Sequence, residues 1–266
     1  MPNYDIEHNK YLYEVKLEIW DTAFGLQKVD NLKPSEYAKK LAYQNAKGEI
    51  SYDEIEKSLK NYYKAERNQE TKEADIVSVR IAELLSREGF KFSPATLLGI
   101  HKHLFGGVLE NSIPAGKFRH YNITKKETVL SGDTVIYDDF AMIDETLNYD
   151  FKIESGFDYS LLDKQSKAFK AMEFISRIWQ IHPFGEGNTR TIAVFAIKYF
   201  HMIGFSIDKT PFKKHSDFFR DALVLANYHK RGKNMEFLNK FTENLLLNGK
   251  HVLKTIQPVF AEKSNL

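Results

Sequence analysis

The residues best suited to chemistry lie in one short segment, His182 to Arg190, which reads His-Pro-Phe-Gly-Glu-Gly-Asn-Thr-Arg. Gly185 and Gly187 precede a predicted helix, and glycine lets the backbone approach a ligand closely. The first amides of a helix have no intrahelical acceptor, and the helix dipole adds positive potential there. The segment is therefore predicted to bind an anion, most naturally a phosphate.

Three side chains of this segment supply reactive groups. Arg190 lies in the first helical turn, where the dipole disfavours a cation, and this suggests that it holds an anion. Glu186 places a carboxylate beside the predicted phosphate site, an arrangement that usually indicates a hard cation between them, most often Mg²⁺. His182 could accept a proton from an attacking hydroxyl. Together they supply the parts that phosphoryl-type transfer requires.

Other interpretations of the histidines are weaker. His182 and Glu186 are four residues apart, which could indicate a zinc pair, but the loop glycines argue against the continuous helix that such a pair needs. A histidine considered alone is more often structural than catalytic. His101 and His103 fall on different faces of a predicted helix, and we expect both at the surface.

Composition excludes several classes of protein. The 266 residues include no Cys, which rules out disulfides, thiolate zinc sites and cysteine nucleophiles. The net charge of +2 and the lack of a basic stripe argue against nucleic-acid binding. The longest apolar stretch, Ile192 to Phe205, is interrupted by Lys198 and His201 and is too short to span a bilayer. Because the first residues do not resemble a secretory signal, we expect a cytoplasmic protein.

Hydrophobic periodicity predicts a mainly α protein. One segment differs: residues 128–137 contain two β-prone runs around Ser131-Gly-Asp133, which predicts a β-hairpin. The helices are predicted over residues 9–24, 35–46, 52–65, 76–86, 94–105, 163–181, 190–203, 215–229 and 234–247.

The segment from His182 to Arg190 resembles the signature of the Fic family: histidine, any residue, phenylalanine, any residue, an acidic residue, glycine, asparagine, usually glycine, and arginine. Fic domains have an all-helical core and a β-hairpin flap that docks a target segment. Residues 115–119, Ala-Gly-Lys-Phe-Arg, together with the hairpin at 128–137, look like that flap region. The resemblance covers roughly residues 70–247 and implies a Fic-type helical bundle.

The resemblance also implies a reaction, the transfer of AMP from ATP to a Ser, Thr or Tyr hydroxyl of another protein. His182 would be the general base, Phe184 would anchor the loop in the core, and Glu186 would bind Mg²⁺ between the α- and β-phosphates. Arg190 would contact the β-phosphate. The remaining residues implied to hold the phosphates are Gly185, Gly187, Asn188 and Thr189.

Two positions depart from the family pattern. Thr189 stands where glycine is commonest and, because it resembles a helix N-cap, we expect it to be tolerated. Ala193 stands where many Fic proteins have a second arginine for the γ-phosphate. Two alternatives to AMP transfer therefore stay open: a nucleotide-binding regulatory or interaction protein with little turnover, and an enzyme that transfers another nucleotide or a phosphoryl group.

Residues 1–70 resemble the small antitoxin proteins that pair with Fic toxins. Their inhibitory helix carries Ser or Thr, three residues, Glu, then Gly or Asn, and the Glu pairs with the second arginine. Here Leu26 replaces the hydroxyl residue, Asp30 replaces the Glu and Asn31 follows. The second arginine is also replaced, by Ala193. We therefore interpret the inhibitory salt bridge as lost or rewired and expect Asp30→Ala to leave activity nearly unchanged.

The predicted organisation has three parts. An antitoxin-like helical module spans residues 1–70, a Fic core spans 71–250, and a tail spans 251–266. The expected partners are ATP and a target protein that docks at the 128–137 flap, with self-modification and a homodimer left open. No nucleic-acid or membrane partner is expected.

Overall fold

The computed structural model describes residues 4–65, 69–109, 114–232 and 234–258, with the side chains of residues 4–11 and of Arg231 left out. Within these ranges the fold is mainly helical, as predicted, and no β-strand occurs. The helices are α1 Tyr4–Gly25, α2 Glu36–Ala46, α3 Tyr52–Ala65, α4 Lys72–Ser86, α5 Pro94–Phe105, α6 Ile143–Ser155, α7 Lys164–Ile181, α8 Asn188–Met202, α9 Thr210–Ala226 and α10 Glu236–Leu246.

Local capping chemistry places several helix starts where the sequence predicts them. The Ser51 amide donates to Glu54 Oε2 at 2.7 Å, and the Glu54 amide donates to Ser51 Oγ at 3.3 Å, which forms a capping box before α3. Ser93 caps α5 through the Thr96 amide, with Pro94 in the first turn. Helix α6 was missed by the sequence analysis.

The predicted β-hairpin at 128–137 is wrong for the described residues. Val129 and Leu130 are adjacent and both buried, which an alternating strand cannot achieve, and they lie in a 3-10 turn. The chain still reverses direction there, because the Glu127 amide donates to the Asp133 carbonyl at 2.8 Å. Residues 133–139 belong to no helix or strand, and Ile136 is 57% exposed.

The hydrophobic core is continuous from the N-terminal helices to the C-terminal segment, from Ile19 to Ile256. Helix α8 is its centre, buried over most of its length and packed against α4, α5 and α7. Helix α1 packs along α4 and α9, so the predicted antitoxin-like module lies against the predicted Fic core. The domain boundaries stay a prediction, and residues 259–266 of the predicted tail lie outside the described residues.

None of the helices in the described part of the chain combines the length and the apolar character that crossing a membrane would require.

Candidate functional site

The segment from His182 to Asn188 connects α7 to the largely buried helix α8. His182 ends α7 in the left-handed region, with φ 51° and ψ 59°, a conformation that is uncommon for a residue with a side chain. Gly187 precedes α8 at φ 72°, and a Cβ there would lie 2.4 Å from the ring of Phe105. Glycine is therefore required at Gly187, because Phe105 leaves no room and the backbone is left-handed.

Side chains of the loop itself hold it closed. The Phe184 amide donates to Asn188 Oδ1 at 3.0 Å, and Asn188 Nδ2 donates to the Phe184 carbonyl at 2.8 Å. The indole of Trp179 donates to Thr189 Oγ1 at 3.0 Å, so this hydroxyl supports α7 against α8 and is not the helix N-cap that its sequence suggested. Asn188 and Thr189 are both buried and shape the loop with their side chains.

His101 supports the loop from α5 and was wrongly predicted to be a surface residue. It is fully buried, and its ring stacks on Phe184 with centroids 3.8 Å apart. The Gly116 amide donates to Nδ1 at 2.8 Å, so the proton must be on Nε2, which donates to the Glu186 carbonyl at 3.0 Å. Burial lowers the pKa of His101 to about 4, which keeps this neutral tautomer at pH 7.

Arg119 ties the segment before the 128–137 turn to the end of α7. Its Nε donates to the carbonyl of His182 at 2.8 Å, and its backbone amide donates to the carbonyl of Pro183 at 2.9 Å. A further guanidinium nitrogen donates to the carbonyl of Tyr121 at 2.8 Å. These bonds fix the backbone around His182 and hold residues 119–121 against it.

His182 is 6% exposed, and one nitrogen of its ring is hydrogen-bonded. Its Nδ1 lies 3.3 Å from the Trp179 carbonyl, which can only accept, so Nδ1 carries the proton and Nε2 is left as the basic atom. Burial lowers the pKa of His182 to about 3, and the charges of Lys125, Arg119 and Arg220 act in the same direction.

Tyr137 covers one face of the His182 ring, with centroids 4.2 Å apart. Its hydroxyl donates to Glu127 Oε1 at 3.2 Å, and the other oxygen of this buried carboxylate pairs with Arg220 on α9. Nothing in the spacing of these four residues along the sequence indicates that they would meet. Their contacts fasten the 128–137 turn over the candidate base.

A cavity of about 290 Å³ opens over the loop. This volume is near the lower end of the range for small-molecule sites. The first amides of α8 lie at its base, where intrahelical acceptors are lacking. The residues that line it are Asp30, Ile123, Thr124, Lys125, His182, Gly185, Glu186, Gly187, Asn188 and Thr189.

Glu186 is the carboxylate of this cavity that could hold a divalent cation. The only hydrogen bond of its side chain within the described residues is a 3.2 Å contact from the Gly187 amide to Oε1. Those residues contain no preformed cluster of three or more acidic or histidine side chains. Mg²⁺ typically takes one or two carboxylates, with water and phosphate oxygens completing its shell, so one carboxylate beside an anion site fits this ion.

Arg190 does not line the cavity, and its guanidinium is held by residues of the N-terminal segment and of α4. Its Nε lies 2.7 Å from Asp30 Oδ2, and a terminal nitrogen lies 2.6 Å from Glu73 Oε1. The other terminal nitrogen donates to Gln27 Oε1 at 3.1 Å, and the guanidinium lies over the ring of Phe105. Arg190 is 1% exposed. The Asp30 interaction suggested by the sequence is thus rewired to Arg190 and not lost.

The remaining predicted positions are placed as follows. Asn31 ends the 3-10 turn that extends α1, in the left-handed conformation with φ 57°. Ala193 is fully buried inside α8 and offers no polar group. Phe184 is fully buried beneath the loop.

Part of this chain is similar to known proteins. Residues 91–200 match the sequence model of the Fic/DOC family. The chain resembles the N-terminal Fic domain of a VirB-translocated Bep effector protein from Bartonella quintana, solved with bound ADP, with a TM-score of 0.51 and 22% identity over 71% of this chain and 85% of that one. It resembles the N-terminal Fic domain of Bep8 from Bartonella sp. 1-1C with a TM-score of 0.50 and 16% identity, over 74% and 87% of the two chains. The chain matches no curated protein significantly.

Proposed function

We propose that this protein is an adenylyltransferase, as the match of residues 91–200 to the Fic/DOC family model suggests. It transfers AMP from ATP to a hydroxyl group of a target protein. The observation that carries the proposal is the cavity lined by His182, Glu186 and the first residues of α8. The Fic domain from Bartonella quintana, which was solved with ADP, supports a nucleotide as the ligand.

In this reaction the target hydroxyl oxygen attacks the α-phosphorus of ATP. An oxygen–phosphorus bond to the target forms, the bond between the α-phosphorus and its bridging oxygen breaks, and pyrophosphate leaves. His182 Nε2 accepts the hydroxyl proton, while Nδ1–H stays directed at Trp179. The α8 amides stabilise the phosphate charge. Glu186 would hold Mg²⁺, which supplies positive charge to the phosphates.

The low pKa of free His182 is compatible with this role. Burial and the neighbouring cations disfavour the imidazolium in the empty site. A polyphosphate bound in the cavity brings several negative charges close to the ring, and this raises its pKa toward the range of an efficient base.

The target segment would dock beside residues 133–139. This stretch belongs to no helix and forms no ladder, and Ile136 offers an exposed apolar side chain to a partner segment. Gln180 on α7 holds the Ile136 carbonyl at 3.1 Å, and Arg119 binds the Asp138 carbonyl, so a target peptide would pair with the remaining backbone groups of this stretch. Self-modification is one outcome of such docking.

One observation favours a second function, nucleotide binding with little turnover. Arg190, the arginine implied to contact the β-phosphate, is neutralised by Asp30 and Glu73 and does not face the cavity. A protein held permanently in this arrangement would bind a nucleotide weakly and act through its conformation. A third alternative, transfer of another nucleotide or of a phosphoryl group, is distinguished by the mass that is added.

The test is intact-protein mass spectrometry of the full chain after incubation with Mg²⁺ and each nucleoside triphosphate in turn. His182→Ala is the matched variant. We expect a gain of one AMP with ATP in the wild type and in an added protein extract, and no gain with His182→Ala. A gain of UMP, GMP or phosphate would replace the proposed reaction, and tight ATP binding without any transfer would favour the binding protein.

A further inference from the structure

The cavity over the loop has few positively charged side chains for a site that is proposed to bind a polyphosphate. Two carboxylates line it, Asp30 and Glu186. Arg190 is 1% exposed and forms ion pairs with this same Asp30 and with Glu73 on α4. Ala193 is buried and apolar. Within the described residues, Lys125 is the only lysine or arginine that lines the cavity.

Lys125 lies in a segment that is fixed at both ends. On one side, Arg119 bonds the chain to the carbonyls of His182 and Pro183. On the other side, the buried Glu127 pairs with Arg220 and accepts from Tyr137. Lys125 itself is exposed, so its ammonium group is available to a ligand.

The charge of Lys125 acts on the candidate base. Its charge is the largest contribution after burial to the lowered pKa of His182, greater than that of Arg119 or Arg220. Lys125 lines the same cavity as His182, where phosphate groups would bind. The neighbouring Lys126 is likewise exposed but does not line the cavity.

We propose that Lys125 binds the polyphosphate of the nucleotide. It supplies a positive charge to the phosphates in place of Arg190, which does not line the cavity in this structure. The inference rests on the proposed function, because it assumes that a nucleoside polyphosphate occupies the cavity. A lysine serves this purpose as a mobile point charge and needs no bidentate geometry. Its contribution should grow with the number of phosphates and weaken as salt screens the charge.

The experiment is a calorimetric titration of the full chain with Mg²⁺-ATP, Mg²⁺-ADP and AMP. Lys125→Ala is compared with Lys126→Ala, a matched removal of charge one residue away, and with Lys125→Arg, which keeps the charge. We expect Lys125→Ala to weaken ATP binding about tenfold, which corresponds to about 1.4 kcal/mol. ADP should be weakened by a similar factor and AMP by less than threefold, with Lys126→Ala and Lys125→Arg close to wild type.

Each other outcome overturns the inference, and the outcomes separate it from the proposed function. If the wild type binds ATP and Lys125→Ala binds it equally well, Lys125 has no role and the proposed function stands. If AMP binding falls as much as ATP binding, the lysine does not act on the polyphosphate. If the wild type binds no ATP, the proposed function itself fails. Equal melting temperatures of the variants would show that folding does not cause the difference.

Discussion

At the scale of single residues, the most consequential contact is the one between Asp30 and Arg190. The guanidinium is nearly fully buried, and Asp30 and Glu73 bind two of its nitrogens. Removing both carboxylates would leave the guanidinium as an uncompensated buried charge, which is costly. The contact between Asp30 and Arg190 reverses the expectation from sequence that Asp30 has little influence on activity.

We predict that Asp30→Asn increases ATP affinity and the rate of AMP transfer by roughly tenfold, within the usual range of coupling between sites. The substitution keeps the size of the side chain, removes one negative charge from the cavity and leaves Arg190 with Glu73 alone. The measurement is calorimetric titration with ATP together with a time course by intact mass. Asp53→Asn, which removes an exposed carboxylate from α3, should change neither value. Unchanged binding and transfer in Asp30→Asn would show that this contact is only structural.

At the scale of elements, the loop is positioned by side chains that reach it from helices far away in the sequence. His101 on α5 bonds the Glu186 carbonyl, 85 residues along the chain, and the Gly116 amide. Arg119 bonds the end of α7, and Asn188 at the start of α8 closes the loop on itself. The geometry of the candidate site is therefore a property of how α5, α7 and α8 pack together.

We predict that His101→Leu lowers the free energy of unfolding by about 2–5 kcal/mol. Leucine fills the space, but the Glu186 carbonyl and the Gly116 amide lose their partner, and each buried group left unpaired costs about 1–3 kcal/mol. His103→Ala on the same helix is the control. Since His103 is partly exposed and only pairs with Glu83, that loss should be about 1 kcal/mol or less. Urea denaturation measures both, and equal losses would contradict the role assigned to His101.

At the scale of the whole molecule, burial of titratable groups couples folding to pH. His101 and His182 have folded pKa values of about 4 and about 3, below the ordinary 6.5, because both are buried. At a pH between the folded pKa values and 6.5, the unfolded chain binds more protons than the folded one. The free energy of unfolding therefore falls as the pH drops below about 6.5. Asp221 opposes this trend, because burial raises its pKa to about 6 and protonation then favours the folded state.

We predict that the free energy of unfolding falls by roughly 3 kcal/mol between pH 7.5 and pH 5. The two histidines together contribute about 4 kcal/mol of loss, and Asp221 offsets about a third of it. Urea denaturation at the two pH values measures the change. In His182→Ala the loss should shrink by about 2 kcal/mol, and a pH dependence identical to wild type would contradict the burial of neutral His182.

Features that depend on residues close together in the chain could be predicted from the sequence alone. Helix boundaries at Ser51 and Ser93 follow from capping groups within the same turn. The loop from His182 to Arg190 is recognisable because its glycines, its acid and its helix start are contiguous. Periodicity identified most helices and the mainly α fold, since it reflects which face of each helix is buried.

Contacts between side chains that are distant in the sequence could be seen only in the tertiary structure. Asp30 reaches Arg190 because α1 packs along α4. Lys125 lines the same cavity as His182 because Arg119 bonds the segment that carries Lys125 to the end of α7. The sequence predicted strands at 128–137 from residue type alone, yet burial of both Val129 and Leu130 curls the chain into a turn. Contacts between residues distant in sequence depend on the packing of the whole core, and no local pattern encodes them.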